Sequence, residues 1–96
     1  SGGDPFYSSL SVIKLLDDLY VPHNNIWAYS GFTFEEIKRD PQMRKLLERV
    51  DILVDGMYIE EKRDITLRFR GSTNQRLIDV RSSLKDPYGR VHRFLD

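Results

Sequence analysis

The densest polar constellation in the chain is Arg70-Gly71-Ser72-Thr73-Asn74-Gln75-Arg76, which puts two guanidinium groups, a glycine, and hydroxyl and amide groups within a few positions. Recognition of a carboxylate or phosphate uses this mixture, because a planar guanidinium grips two oxygens and a residue without Cβ admits the backbone. Asn74 is the first candidate contact and Arg70 the second, with a capped surface turn as the alternative. The spacing of a phosphate-binding P-loop is absent. Gly2-Gly3-Asp4 is a second candidate: two residues without Cβ permit close approach of a ligand, and the Asp4 carboxylate can pair with an ammonium group. A flexible terminus is the alternative there. Ser30-Gly31 and Asp55-Gly56 each close an apolar run, so they are candidate contacts at strand ends and, equally, ordinary turn chemistry.

Several chemistries are excluded within these 96 residues, because no cysteine is present. The chain has no disulfide framework, no thiolate nucleophile and no iron–sulfur or cysteine–zinc ligands of its own. His23 and His92 have no ligand-spaced partner, so no metal site is assigned. Glu35-Glu36 and Glu60-Glu61 read as caps or solvated faces, since adjacent helical residues do not point together. No catalytic residue is assigned. Residues 1–61 carry 6 basic and 11 acidic side chains and residues 62–96 carry 9 and 4, which leaves the two stretches at −5 and +5. Such asymmetry fits an anion-binding segment or two complementary faces of one domain. No apolar run approaches the roughly 20 residues of a membrane span and no basic-then-apolar leader is visible, so the expected location is the cytoplasm.

These groups need elements to hold them. Leu10, Ile13, Leu16 and Tyr20, with Val12 and Leu19 beside them, predict an amphipathic helix over about 6–20. Ile26-Trp27-Ala28-Tyr29 reads as a buried strand. Thr33-Phe34-Glu35-Glu36 is a capping-box pattern opening a short helix, and Asp40-Pro41 opens another whose apolar side is Met43, Leu46, Leu47 and Val50. Asp51 to Asp55 predicts a second buried strand closed by Gly56, with Asp51 itself a cap or solvated. Ile65, Leu67 and Phe69 alternate with polar residues and predict a third strand; Leu77, Ile78 and Val80 predict one more. Lys85-Asp86-Pro87-Tyr88-Gly89 is a turn, and residues 82–96 are expected to end as a tail or an edge segment. Trp27, Phe32, Phe34 and Phe69 are expected in the core. The order implies an α/β layer with mostly parallel strands and intervening helices, within one domain or fragment spanning 1–96. The first helix has no strand ahead of it to complete a crossover, as a missing N-terminal part would explain.

Four blocks in order, Ser1 to Pro5, Ile26 to Phe32, Val50 to Gly56 and Leu67 to Arg76, resemble the distal half of the anaerobic ribonucleotide reductase activating proteins, over about residues 1–81. That family consists of radical S-adenosylmethionine (SAM) enzymes. The resemblance implies the C-terminal part of a partial (β/α) barrel. It also implies a parent protein in which a Cys-x3-Cys-x2-Cys segment holds a 4Fe–4S cluster that cleaves SAM, generating a glycyl radical on the reductase. Gly2, Gly3 and Asp4 would then contact the methionyl amino group of SAM, Ser30 its carboxylate or ribose, Asp55 a ribose hydroxyl or the partner, and Arg70 and Asn74 the pocket nearby. The implied partners are the large subunit of the reductase and an electron donor such as flavodoxin. The family's cysteines are absent from this chain, which implies a fragment inactive by itself.

Two other classes remain open from the residues. One is a non-enzymatic interaction module whose seven arginines from Arg63 onward dock on an acidic partner. Nucleic acid is a poor fit to it because few aromatic residues interleave that charge. The other is an unrelated nucleotide-binding α/β domain, supported only by the strand-end glycine turns. A partial barrel would leave sheet edges exposed, so self-association is expected.

Overall fold

The computed structural model describes residues 3–19 and 26–95. Asp4 accepts from the Phe6 amide and Pro5 starts a 3-10 turn, Pro5–Ser8, that runs into helix α1, Ser9–Asp18. The first predicted helix is therefore two pieces. Its buried stripe is Val12, Ile13 and Leu16, packed on the core, whereas Leu10 and Leu19 are more than half exposed. Tyr20 and His23 lie outside the described residues.

Strand β1 is Trp27–Tyr29. The capping box forms at helix α2, Phe34–Arg39: Thr33 Oγ1 accepts from the Glu36 amide at 3.2 Å and Glu36 Oε1 accepts from the Thr33 amide at 2.9 Å. Two first-turn donors are thereby satisfied. Asp40 accepts from the Gln42 and Met43 amides, both at 3.0 Å, and Pro41 begins helix α3, Pro41–Leu47. Strand β2, Ile52–Asp55, is buried along its whole length and pairs parallel with β1, placing Ala28 beside Leu53. At the lower end of this pair Asp51 Oδ2 accepts from the Ile26 amide at 2.9 Å and Oδ1 accepts from Arg81 Nε at 2.9 Å.

Strand β3, Arg76–Asp79, joins the other side of β2 and runs antiparallel to it, with Leu53 opposite Ile78. The sheet is thus mixed, in the order β1-β2-β3, rather than mostly parallel. The reason is the connection: a loop over 56–75 in place of a helical crossover lets the chain return in the opposite direction. The predicted strand around Ile65, Leu67 and Phe69 does not form. Asp64 accepts from the Thr66 amide at 2.9 Å and Thr66 Oγ1 at 2.6 Å, folding a local turn that competes with extended backbone. Arg76–Asp79 takes the adjacent edge of β2, Ile65 is 84% exposed, and Phe69 adopts φ 68°.

Val80 belongs to helix α4, Val80–Lys85, capped by Asp79, rather than to the strand. Residues 82–95 are accordingly not a loose tail. After the turn at Pro87 and Tyr88 the chain comes back along β3, where Asp79 N donates to His92 O at 2.9 Å and Phe94 N donates to Leu77 O at 2.8 Å. The edge-segment alternative describes this stretch.

The helices cover one face of the sheet, with Phe6, Phe34, Ile37, Leu46, Leu47, Leu53 and Ile78 in their shared core. On the opposite face the Trp27 ring meets Phe69 at 5.1 Å and Phe94 at 5.8 Å between centroids. Phe34 is a core residue as expected and Trp27 and Phe32 are half-buried. Phe69 is 42% exposed: it shields Trp27 from the loop side instead of entering the core.

A candidate ligand rim at the strand ends

The carboxyl ends of β1 and β2 meet the N-terminal loop at Asp4. Asp4 Oδ1 accepts from the Phe6 amide at 3.0 Å, and Oδ2 accepts from Ser30 Oγ and from the Gly31 amide, both at 2.8 Å. Ser30 Oγ in turn accepts from the Phe32 amide at 3.0 Å, while the Ser30 amide donates to Val54 O at 3.0 Å. The fold thus brings together two candidates that stand far apart in sequence. Gly3 is exposed, and a Cβ built there would meet no atom within 4 Å, so the protein itself does not demand glycine at that position. Gly2 lies outside the described residues. These groups border a cavity of about 660 Å³ that also reaches Tyr29, Met57, Tyr58 and Gln75. That volume is within the range of small-molecule sites.

The other candidates occupy different positions. Asp55 is 1% exposed; its Oδ2 accepts from the Phe34 amide at 2.7 Å and from Arg76 Nη2 at 2.5 Å, and its Oδ1 accepts from Arg76 Nε at 3.0 Å. The carboxylate caps α2 from across the sheet, so it does not turn toward the cavity. Arg76 Nη2 also donates to Glu35 Oε1 at 2.7 Å. That contact holds the Glu35 carboxyl below its ordinary pKa, while the Asp55 and Glu35 carboxylates push the Arg76 pKa upward. Arg76 with Asp55 and Glu35, and Arg81 with Asp51, join basic side chains of the C-terminal stretch to acidic ones of the N-terminal stretch. These pairs are the complementary-faces reading of the charge asymmetry.

Arg70 Nη1 donates to Gln75 O at 2.6 Å. Asn74 Nδ2 donates to Met57 O at 2.8 Å, and its Oδ1 accepts from Ser72 Oγ at 2.7 Å. Gln75 is the hub of the loop: its Oε1 accepts from the Gly71 and Ser72 amides, at 2.9 and 3.1 Å, and its Nε2 donates to Gly56 O at 3.0 Å. The constellation that looked like an anion site is therefore organised around its own backbone, and Gln75 is its contribution to the cavity wall. Met57 and Tyr58 were missed by sequence reasoning. Their signal was position alone, directly after the strand-ending Asp55-Gly56. Tyr58 Oη donates to Glu60, which raises the tyrosine pKa.

The residues do not suit an iron–sulfur cluster. The sequence contains no cysteine, and among the described residues no group of three or more His, Cys, Asp or Glu side chains could hold a metal ion. Among the described residues no helix is long and apolar enough to cross a membrane.

A parallel β1–β2 pair joined by helices, with a polar rim at the strand ends, defines an α/β layer, a class in which ligands commonly bind at the carboxyl ends of the strands. Residues 1–78 match the family described as a 4Fe-4S single cluster domain, and the chain belongs to that family. Among curated proteins the chain is 39% identical over 80 residues to the anaerobic ribonucleoside-triphosphate reductase-activating protein of Haemophilus influenzae, covering 78% of this chain and 50% of that protein. It is 40% identical over 79 residues to the protein of the same name from Vibrio cholerae, again covering 78% and 50%. The counterpart from Enterobacteria phage T4 is 35% identical over 81 residues, covering 80% of this chain and 49% of the relative. The chain thus spans about half the length of the curated relatives it matches. No solved structure matches it.

Proposed function

We propose that this chain is the part of an anaerobic ribonucleoside-triphosphate reductase activating protein that binds and positions SAM and the reductase, within a partial (β/α) barrel. The carrying observation is the junction of Asp4, Ser30 and Gly31 at the mouth of a ligand-sized cavity. Asp4 Oδ1 accepts one hydrogen bond, from Phe6, and keeps capacity for an ammonium group arriving past the open backbone at Gly3. Ser30 orients that carboxylate and fixes the turn after β1 through the Phe32 amide. Asp55, Arg70 and Asn74 support the reading by shaping the rim from behind rather than by touching the ligand.

When bound, SAM supplies the radical precursor with which such enzymes make a glycyl radical on the reductase. The cluster that cleaves it needs thiolates from outside these residues, so the chain by itself is inactive. The reductase large subunit is the proposed partner, with an electron donor such as flavodoxin, in the cytoplasm. The test has two parts. Calorimetric titration with SAM is expected to show binding that Asp4→Asn weakens, because the amide oxygen still accepts local hydrogen bonds while the charge that would pair with the ammonium group is lost. Anaerobic treatment with iron and sulfide is expected to give neither cluster absorbance nor SAM cleavage; a SAM-cleaving cluster formed on this chain alone refutes the proposal.

A further inference from the structure

A second, smaller cavity, of about 220 Å³, opens where the 56–75 loop meets the returning C-terminal stretch. Its apolar wall is Leu67, Leu77, Leu95 and the Phe69 ring, and Arg68 and Arg70 stand in the same wall. Leu77 is buried, whereas Phe69 and Leu95 are 42% and 66% exposed. Phe69 and Leu95 share a further property: at φ 68° and 69° they are the two residues other than glycine with positive φ among the described residues. A side chain in that conformation is disfavoured, because its Cβ crowds a backbone carbonyl oxygen. The fold thus holds two large apolar groups at one cavity against their local preference. Such outliers gather at ligand clamps and binding surfaces.

The chemistry of this face selects its occupant. The cavity is smaller than the roughly 300–1,000 Å³ of sites that enclose a whole small molecule, so it suits one side chain of a larger partner. Arg68 is exposed, with its guanidinium 5.2 Å from the Phe69 ring centre, and Arg70 is fixed nearby by donating to Gln75 O at 2.6 Å. A guanidinium steadied on a ring presents a planar fork that matches a carboxylate. Asp64, an acid of the same loop, is engaged by the Thr66 amide and hydroxyl, and residues 62–96 as a whole carry +5. That charge calls for an acidic partner. A nucleic acid needs open ring faces on which to stack its bases, but Trp27 and Arg68 already meet the Phe69 ring, and Trp27 meets Phe94 edge-on. Exposed arginine and aromatic groups around a small pocket are instead the composition of a protein-interface anchor. Trp27 also lines the larger cavity, so this face and the ligand rim share a wall. We propose that the face around Arg68 and Phe69 is the seat of the reductase, and that it takes an acidic segment of that partner, an apolar side chain entering the small cavity and a neighbouring carboxylate pairing with Arg68. The inference rests on the proposed function for the identity of the partner, and on the cavity and its charge for the place and chemistry of docking.

The chain contains a built-in reporter, because Trp27 is its one tryptophan and touches both Phe69 and Phe94. The test titrates the full chain with overlapping synthetic peptides that tile the anaerobic reductase activated by the Haemophilus influenzae relative. A peptide with acidic residues beside an apolar one is expected to bind 1:1, to change the Trp27 emission, to compete with the intact reductase, and to weaken as salt is added. Arg68→Glu is expected to weaken it at least about tenfold, since like charges then face each other, and Arg68→Lys by less. Both variants are expected to unfold at the midpoint of the parent chain, because this side chain lies at the surface. Phe69→Gly suits the left-handed backbone, so it is expected to stay folded while losing the peptide. No peptide binding, binding that survives replacement of the peptide's acids by amides, binding indifferent to Arg68→Glu, or tighter Arg68-dependent binding of a single-stranded DNA oligonucleotide each overturns the inference. Calorimetric titration with SAM reads the rim separately. SAM binding together with reductase capture indifferent to Arg68→Glu refutes this docking face and leaves the functional reading standing; Arg68-dependent capture without SAM binding does the reverse.

Discussion

Replacing Arg76 by methionine isolates the interaction that ties the last strand to the first helix after β1. The Asp55 carboxylate accepts three hydrogen bonds, two of them from Arg76, and is 1% exposed. Arg76→Met leaves a buried charge with only the Phe34 amide. Breaking a buried pair in this way costs about 3–5 kcal/mol. Because the Arg76 side chain is 23% exposed and water can reach the vacated place, the low end, about 3 kcal/mol, is expected. In a domain of this size that lowers the melting temperature by roughly 12–24 °C. Asp55→Asn keeps an acceptor for Phe34 but turns an amide toward the guanidinium, and about 2 kcal/mol is expected. The decisive measurement is the double-mutant cycle by urea unfolding. Once Asp55→Asn has removed the buried charge, adding Arg76→Met is expected to do less harm, giving a coupling energy of about 2 kcal/mol. Additive effects, or a loss below about 1 kcal/mol for Arg76→Met, would refute the claim that this pair is buried and coupled.

Three further outcomes are expected. The His92 side chain beside Asp86 depresses the Asp86 pKa from 3.8 to about 2. A depressed carboxyl contributes stability that is complete above its unfolded value and lost on acidification, so the His92–Phe94 edge is expected to loosen as the pH falls from about 4 toward 2; amide exchange of His92 and Phe94 reads this, and His92→Ala is expected to remove the low-pH step. Gly56 has φ 95°, where a Cβ is strained, so Gly56→Ala is expected to cost about 1–2 kcal/mol in chemical unfolding. Thr33→Ala deletes one half of the capping box at α2 and is expected to cost about 1 kcal/mol, visible in thermal melts followed by circular dichroism.

Local chemistry was legible wherever neighbouring residues settle it. The Thr33 and Asp40 caps, the strands at 27–29 and 52–55 and the Asp86–Gly89 turn are decided within a few positions, and each forms close to where spacing places it, although only the second strand is buried as expected and Tyr29 of the first is exposed. Long-range choices were not legible. Ile65, Leu67 and Phe69 have the alternation of a strand, but a strand needs an edge, and Arg76–Asp79 took the one beside β2. The same limit governs the candidate site. Asp55 and Arg70 have the chemistry of ligand contacts, yet the buried amide of Phe34 and the carbonyl of Gln75 claim them first. Competition from the chain's own backbone cannot be read from residue types. Asp4 and Ser30 were chosen for separate reasons, and only the fold reveals that they share a hydrogen bond.

The loop between β2 and β3 has its two ends in contact: a Cβ at Gly56 would lie 3.8 Å from the Gln75 Cα, and the Gln75 side-chain Nε2 donates to Gly56 O. A segment pinned at its base behaves as a cassette. Its outer residues, including Met57, Tyr58 and Ile65, can be exchanged or lengthened without altering the register of Arg76 against Asp55, because added length costs closure entropy only slowly. Related proteins are therefore free to vary this one loop while the sheet beneath keeps its pairing. A graft of this loop between relatives that retains Gly56, Gln75 and Arg76 is expected to fold with the β2–β3 register unchanged.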